Sequence, residues 1–339
     1  MRMIRIRRRP YLGGQRLAAG VIALLAACGV LGAPAAAQAR SSAGPTWTKQ
    51  APATHPPVLA GAAMVYDAAT GNIVLFGGVS RHGITRATWT WDSSTWTKQA
   101  PVSSPPARDD ASMAYDVATG TVVLFGGQGR KGQLLGDTWT WDGSTWTKQT
   151  SASHPAARDY ASMAYDAATS TVVLFGGADK SAHAFDGTWT WDGSAWTRQA
   201  PVSSPPARAS AAMTYDVATG TVVLFGGIAS RAFGDTWTWN GSTWAQHAPA
   251  ASPAARYGEA IAYDAATSNV VLFGGLGGNG QLLNDTWTWD GSTWTRQAPP
   301  SSPPARRSAP MAYDAAAGSV VLFGGAQGGH SLHDTWTWG

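Results

Sequence analysis

The string Leu-Phe-Gly-Gly occurs six times, its first glycine falling at Gly77, Gly126, Gly176, Gly226, Gly274 and Gly324. The spacings between copies are 49, 50, 50, 48 and 50 residues. Each copy is followed by Thr-Trp-Thr-Trp, at Trp89/Trp91, Trp139/Trp141, Trp189/Trp191, Trp237/Trp239, Trp287/Trp289 and Trp336/Trp338. A chain that repeats one unit at this period folds each copy alike and buries its apolar faces against neighbouring copies.

One repeat shows the local structure. Ser112 to Tyr115 reads as a short apolar strand ending at Asp116, and Asp-Val-Ala-Thr-Gly as a turn closed by Gly120. Thr121 to Phe125 is rich in β-branched residues and reads as a buried strand that Gly126-Gly127 ends. A variable loop leads to Asp137 and a third strand, in which alternation puts Trp139 and Trp141 on one face. Asp142-Gly143 signals a two-residue hairpin of the type I′ kind, with a fourth strand directly after it. Four antiparallel strands in about 50 residues make one propeller blade. The composition agrees: 40 Gly, 20 Pro and 18 Trp with only 13% charged residues favour short strands and turns over long helices.

The predicted fold is therefore all-β, a six-bladed β-propeller over residues 46–339. The last repeat stops after its third strand, at Trp338-Gly339, and Thr46-Trp47-Thr48-Lys49-Gln50 matches the fourth strands elsewhere. The expectation is that residues 46–50 form the outer strand of blade six, leaving no unpaired blade edge. Linkers such as Gln-Ala-Pro-Val-Ser-Ser-Pro-Pro-Ala must cross roughly 14 Å of sheet. Nine residues near polyproline geometry reach about 28 Å.

An apolar run ending in Gly-Gly, a variable loop, then aromatic residues and a Trp, repeated over residues 46–339, resembles the kelch repeat. The kelch pattern also has an Arg opening the first strand, matched by Arg108, Arg158, Arg208, Arg256 and Arg306; blade one has Leu59 there, and the family's Gly-His after the Arg is missing. The resemblance extends to the propeller of galactose oxidase, whose copper site uses a Tyr cross-linked to Cys. Residues after the export segment include no Cys for such a cross-link. Bacterial kelch proteins include a sialic-acid mutarotase, and that resemblance implies an acid/base pair in the channel. The Asp-Gly-Ser-Thr-Trp hairpins also resemble the sialidase Asp-box, but near-complete copies at this spacing read as turn chemistry.

Residues 1–39 read as an export signal: an arginine-rich start, an apolar run from Leu17 to Ala33, and small residues ending in Ala37-Gln38-Ala39. Leu25-Ala26-Ala27-Cys28 also fits a lipoprotein signal, in which Cys28 is lipidated, and Arg8-Arg9 resembles a twin-arginine motif. Residues 40–45 form a short linker. The expected location is periplasmic or extracellular, or lipid-anchored at the cell envelope if Cys28 is acylated. Six of the 24 Lys and Arg lie in the signal, so 18 remain against 20 Asp and Glu. That balance gives no basic stripe for nucleic acid. Cys28 is the only cysteine, so no disulfide is expected.

Function is expected where the repeats differ. The second-to-third-strand loops carry Arg81/His82, Arg130/Lys131, Lys180/His183, Arg231 and His330/His333. The opening arginines offer bidentate recognition of a carboxylate, or else internal struts between blades. Glu259, the only glutamate, replaces an alanine found in the other blades; it is flanked by Tyr257 and aligned near Tyr160, Asp109 and Asp110. It is the single candidate for catalysis. The repeated tryptophans and hairpin aspartates read as core and turn residues. No cofactor and no metal site is called for; the expected role is a monomeric binding module for a protein or glycan. The other readings are a sugar-modifying enzyme of mutarotase or oxidase type, and a structural cell-envelope protein.

Overall fold

The computed structural model describes residues 44–339. The segment read as an export signal, with the expected cleavage at Ala39 and the lipidation candidate Cys28, and most of the linker lie outside the described residues. All regular structure in residues 44–339 is β, and the principal strands form six four-stranded antiparallel sheets. Blade two runs Ser112–Asp116, Thr121–Phe125, Thr138–Trp141 and Trp146–Gln149, from the channel outward. Blade six takes Met311–Asp314, Ser319–Phe323 and Thr335–Trp338 from one end of the chain and Trp47–Gln50 from the other. The closing register is Trp47 opposite Trp338 and Gln50 opposite Thr335. The ring thus closes on the N-terminal strand, as the repeat boundaries require.

The double glycines have a steric cause. The second glycine of each pair donates its N–H to the carbonyl of the next blade's opening residue, as in Gly127 to Arg158 (2.9 Å), Gly227 to Arg256 (2.9 Å) and Gly325 to Leu59 (2.8 Å). A Cβ on Gly176 would lie 2.4 Å from the Arg208 carbonyl oxygen, and on Gly126 2.6 Å from that of Arg158. Both glycines also have positive φ, so any other residue is excluded twice over.

The tryptophans are core. Each fourth-strand Trp packs back on the preceding blade and donates its indole N–H to the first Thr of that blade's Thr-Trp-Thr-Trp. Trp146 reaches Thr88 (2.9 Å), Trp294 reaches Thr236 (2.8 Å), and Trp47 reaches Thr286 (2.9 Å). The second-strand apolar residues, such as Val122, Leu124 and Phe125, complete these inter-blade clusters. Burying one such indole removes about 150–250 Å² from water.

The outer hairpins differ from the sequence expectation. Trp141 pairs with Trp146, so the connection is four residues, not two. The Asp142 carboxylate accepts the amides of Ser144 and Thr145 and the Ser144 hydroxyl, while Gly143 has φ 93°. This side-chain capping satisfies the wider turn and outcompetes the tight one.

Candidate functional site: the channel mouth and the opening arginines

One position in each repeat, two residues after the opening Arg or Leu, adopts left-handed backbone: Gly61, Asp110, Tyr160, Ser210, Gly258 and Ser308, with φ between 52° and 65°. Their main chains form a closed belt. Asp110 donates its N–H to Gly61, Tyr160 to Asp110, Ser210 to Tyr160, Gly258 to Ser210, Ser308 to Gly258 and Gly61 to Ser308, at 2.8–3.1 Å. The left-handed turn aims each amide at the preceding blade's carbonyl, so the backbone geometry is constant while the side chain is free to vary.

The side chains concentrate chemistry on blades two and three. Asp109, Asp110, Asp159 and Tyr160 lie together there, with Tyr257 on blade five and Arg307 on blade six at equivalent places around the belt. Tyr160 is 39% exposed, with its phenol beside the Asp110 carboxyl. Burial in the mouth, then the charge of Asp109, raises the Asp110 carboxyl to about 8, partly opposed by Tyr160 and Arg307. Burial also raises Asp159, to about 6. The Tyr160 phenol is raised by burial and by the same acids. Asp109 keeps one buried carboxylate oxygen with no hydrogen-bond partner. The mouth on this side is thus an acidic and aromatic corner whose acceptors are not used up internally. Sequence reading reached Tyr160 and Tyr257 as candidates, but not Asp159 or Arg307. The signal that finds them is the belt position and its predecessor, where repeats diverge between a near-constant Arg and a near-constant Ala.

Behind the belt, the channel is lined by Ala, Ser and Met of the first strands, among them Met64, Met113, Met163, Met213 and Met311, and forms an open pocket of about 160 Å³. Glu259 also lines it, 8% exposed, with neither carboxylate oxygen hydrogen-bonded. Its Oε1 lies 2.4 Å from where a Cβ on Gly226 would stand, so the carboxyl occupies space that only a glycine leaves open. Burial raises it to about 8, against the opposing pull of nearby amides and of Arg256.

The opening arginines are struts. Arg108, Arg208, Arg256 and Arg306 are 0–1% exposed; each donates to the first glycine's carbonyl of its own Gly-Gly and grips an aspartate in bidentate fashion. The partners are Asp137, Asp235, Asp285 and Asp334, at 2.6–3.0 Å. Each aspartate also accepts the indole N–H of the first Trp that follows, as Asp137 does from Trp139 (2.7 Å). These four guanidiniums are committed inside their blades. Burial alone would raise these carboxyls, but the arginine hydrogen bonds and charge outweigh it and hold them low. Arg158 alone has no aspartate.

Among the loop candidates, Arg130 donates to the Ile84 carbonyl (2.9 Å), tying blade two's loop to blade one's. His183 sits 3.3 Å from Asp179 on the same loop. Lys131 and Arg231 are exposed. Among the described residues no group of three or more His, Cys, Asp or Glu is placed to hold a metal ion.

No family model matches the sequence, and no curated protein matches it. Among solved structures, one titled "Structure of YjhT" superposes with a TM-score of 0.65 at 17% identity, over 84% of this chain and 95% of that one. At that identity the likeness establishes the six-bladed propeller fold.

Proposed function

We propose that this chain is an exported kelch-type propeller acting outside the cytoplasm as a binding module for a protein or glycan, through the channel mouth and its surrounding loops. The observation that carries this reading is the belt: an invariant backbone ring that displays variable side chains, with Asp109, Asp110, Asp159 and Tyr160 gathered on one side. The unspent Asp109 oxygen beside an exposed aromatic ring suits a ligand rich in hydroxyl or amide donors. Four of the five opening arginines contribute nothing to recognition, being committed to internal aspartates. The test is a glycan array together with a pull-down, comparing the parent chain with Asp110→Asn/Tyr160→Ala and with Arg130→Ala/Lys131→Ala/Arg231→Ala. Binding should be lost in the first variant and weakened in the second; interactions that survive both unchanged would remove the mouth as the recognition surface.

A second reading, a sugar-modifying enzyme, rests on Glu259, a buried channel carboxyl with no partner and a raised pKa suited to proton transfer. Its test is mutarotation of free aldoses followed by NMR: activity abolished by Glu259→Gln supports it, and no activity in the parent chain removes it.

A further inference from the structure

Blade three breaks the arginine pattern in a specific way. Its sequence before the third strand is Phe185-Asp186-Gly187-Thr188, where blade four has Phe233-Gly234-Asp235-Thr236. Gly187 therefore stands where the other blades place their arginine-binding aspartate, and Asp186 is one residue early, exposed, and makes no ion pair with Arg158. Arg158 nevertheless remains, 3% exposed, its Nε donating to Ala156 (2.9 Å) and Nη1 to Gly176 (2.8 Å). Its Nη2 makes no hydrogen bond to the described residues, and neither does the indole N–H of Trp189; both atoms reach solvent. A Cβ on Gly187 would touch only the Trp189 ring edge, 3.3 Å from its Nε1, so no main chain and no other side chain crowds the first atom of a side chain placed there.

The other blades show what fits there. In blades two, four, five and six, one carboxylate oxygen takes Nη1, and the second takes both Nη2 and the Trp indole N–H, as Asp235 does with Arg208 and Trp237. The Arg158 guanidinium also stacks on Phe185, 4.0 Å from the ring centroid. That stacking does not replace the carboxylate, because Arg208 stacks on Phe233 at the same distance and still holds Asp235. Blade one, the other blade without the aspartate, has lost the arginine too (Leu59 and Ala87). Burial, with the charge of nearby Arg198, lowers the Arg158 guanidinium to about 10, as for a buried cation without a counter-ion.

We propose that blade three carries a binding site for a small monocarboxylate, held by Arg158 and the Trp189 indole N–H where the other blades hold their own aspartate. The site stands on these two unfilled donors and is independent of what the channel mouth recognises. A carboxylate is expected ahead of a tetrahedral oxyanion because an aspartate carboxylate fills the same three-donor geometry in blade four, as in blades two, five and six.

The test is an acetate titration of the chain labelled with ¹⁵N-tryptophan, against chloride at matched ionic strength, with the Trp189 indole signal assigned by its loss in Trp189→Phe. The Trp189 signal should shift and saturate. Trp89, which lacks the aspartate but also the arginine, should stay still, as should Trp139, Trp237, Trp287 and Trp336, whose carboxylates are already in place. Gly187 lacks positive φ, so Gly187→Asp can supply an internal carboxylate. That variant should start with the Trp189 signal displaced and lose the acetate response. If it folds poorly, Arg158→Lys should weaken half-saturation at least about tenfold by losing the bidentate fork. The proposal is overturned by an unsaturable Trp189 shift, by Trp89 moving in parallel, by an undiminished response in either variant, or by sulfate matching acetate.

Discussion

Two inter-blade interfaces, four against five and six against one, use the same backbone and different side chains. Both keep the glycine amide on the next blade's carbonyl, Gly227 to Arg256 and Gly325 to Leu59. Both keep the indole-to-threonine bond, Trp294 to Thr236 and Trp96 to Thr335. Blade five then adds the Arg256–Asp285 pair, whereas blade one has Leu59, buried in an apolar cluster, and Ala87. On the hairpin side, Gly291 of blade five packs on Thr219 of blade four, while blade one offers Ser93 to a blade-six turn whose threonine is Ala317. The main chain and the indoles are the common scaffold; at these two interfaces the side-chain pairs are exchanged together, whereas blade three has lost only the aspartate and keeps Arg158.

The largest effect tests the shared part. Trp47 is 1% exposed and joins blade six to blade five across the chain's two ends. Trp47→Ala should cost about 3–5 kcal/mol, read as a fall in denaturation midpoint, and deleting Thr46–Gln50 should cost more by exposing the Thr335–Trp338 edge. An unaltered melt after the deletion would mean that the ring does not depend on this closure. Next in size is the exchangeable part. Asp285→Ala should cost about 3–5 kcal/mol by stranding a buried guanidinium. The double change Arg256→Leu/Asp285→Ala copies blade one and should recover most of that loss. A double variant no more stable than Asp285→Ala would break the idea that the pair is replaceable as a unit.

The repeats made the blades, the closure and the twelve glycines legible in the sequence, because each residue there has one job in six copies. Glu259 was legible for the opposite reason, as a single break in a constant column. The arginines were harder. Arg108 and Arg158 are the same letter in the same column, and what separates them is a one-residue transposition of Asp and Gly some 29 residues later, at Asp137 and at Asp186-Gly187. The belt was not legible at all, because a hydrogen bond between main chains leaves no mark on side-chain identity. Its trace is the tolerance of Gly, Asp, Tyr and Ser at one left-handed position.

The four–five interface has one departure of its own, and it is sensitive to pH. An acid whose pKa rises on folding binds its proton more tightly folded than unfolded. Its contribution is complete below the unfolded value, near 4.5 for Glu259, and is lost as pH rises toward about 8. Glu259→Gln should therefore flatten the decline in melting temperature between about pH 5 and pH 8. Part of the decline should remain, because Asp110, also raised to about 8, acts in the same direction. Identical pH profiles for the parent and the variant would show that Glu259 is solvated and ionised throughout.

The smallest effect probes the pairing rule most closely. In blades two to five, a hairpin glycine at φ 92–96° faces the preceding blade's turn threonine, and a Cβ on it would lie 2.5–2.6 Å from the threonine Cγ2. In blade one that glycine is Ser93, at φ 74°, and its hydroxyl donates to Asp314 Oδ2 at 2.8 Å. The turn it faces has Ala317 in place of threonine, so the methyl that would exclude Ser93 is gone, along with the hydroxyl that serves the aspartate in Asp67–Thr70 and Asp264–Thr267. Ser93 thus supplies across the interface what Ala317 no longer supplies within the turn. Ser93→Gly removes a charged hydrogen bond while relieving left-handed strain, a net loss of about 1 kcal/mol or less. Ala317→Thr alone forces the Cγ2 clash and should cost about 1 kcal/mol or more. The double variant recreates the arrangement of blades two to five and should be close to the parent, giving a coupling of about 1 kcal/mol in a double-mutant cycle. Simple additivity of the two losses would mean that these residues drifted apart independently, and that the exchange of pairs seen at Leu59 and Ala87 does not extend to the hairpin face.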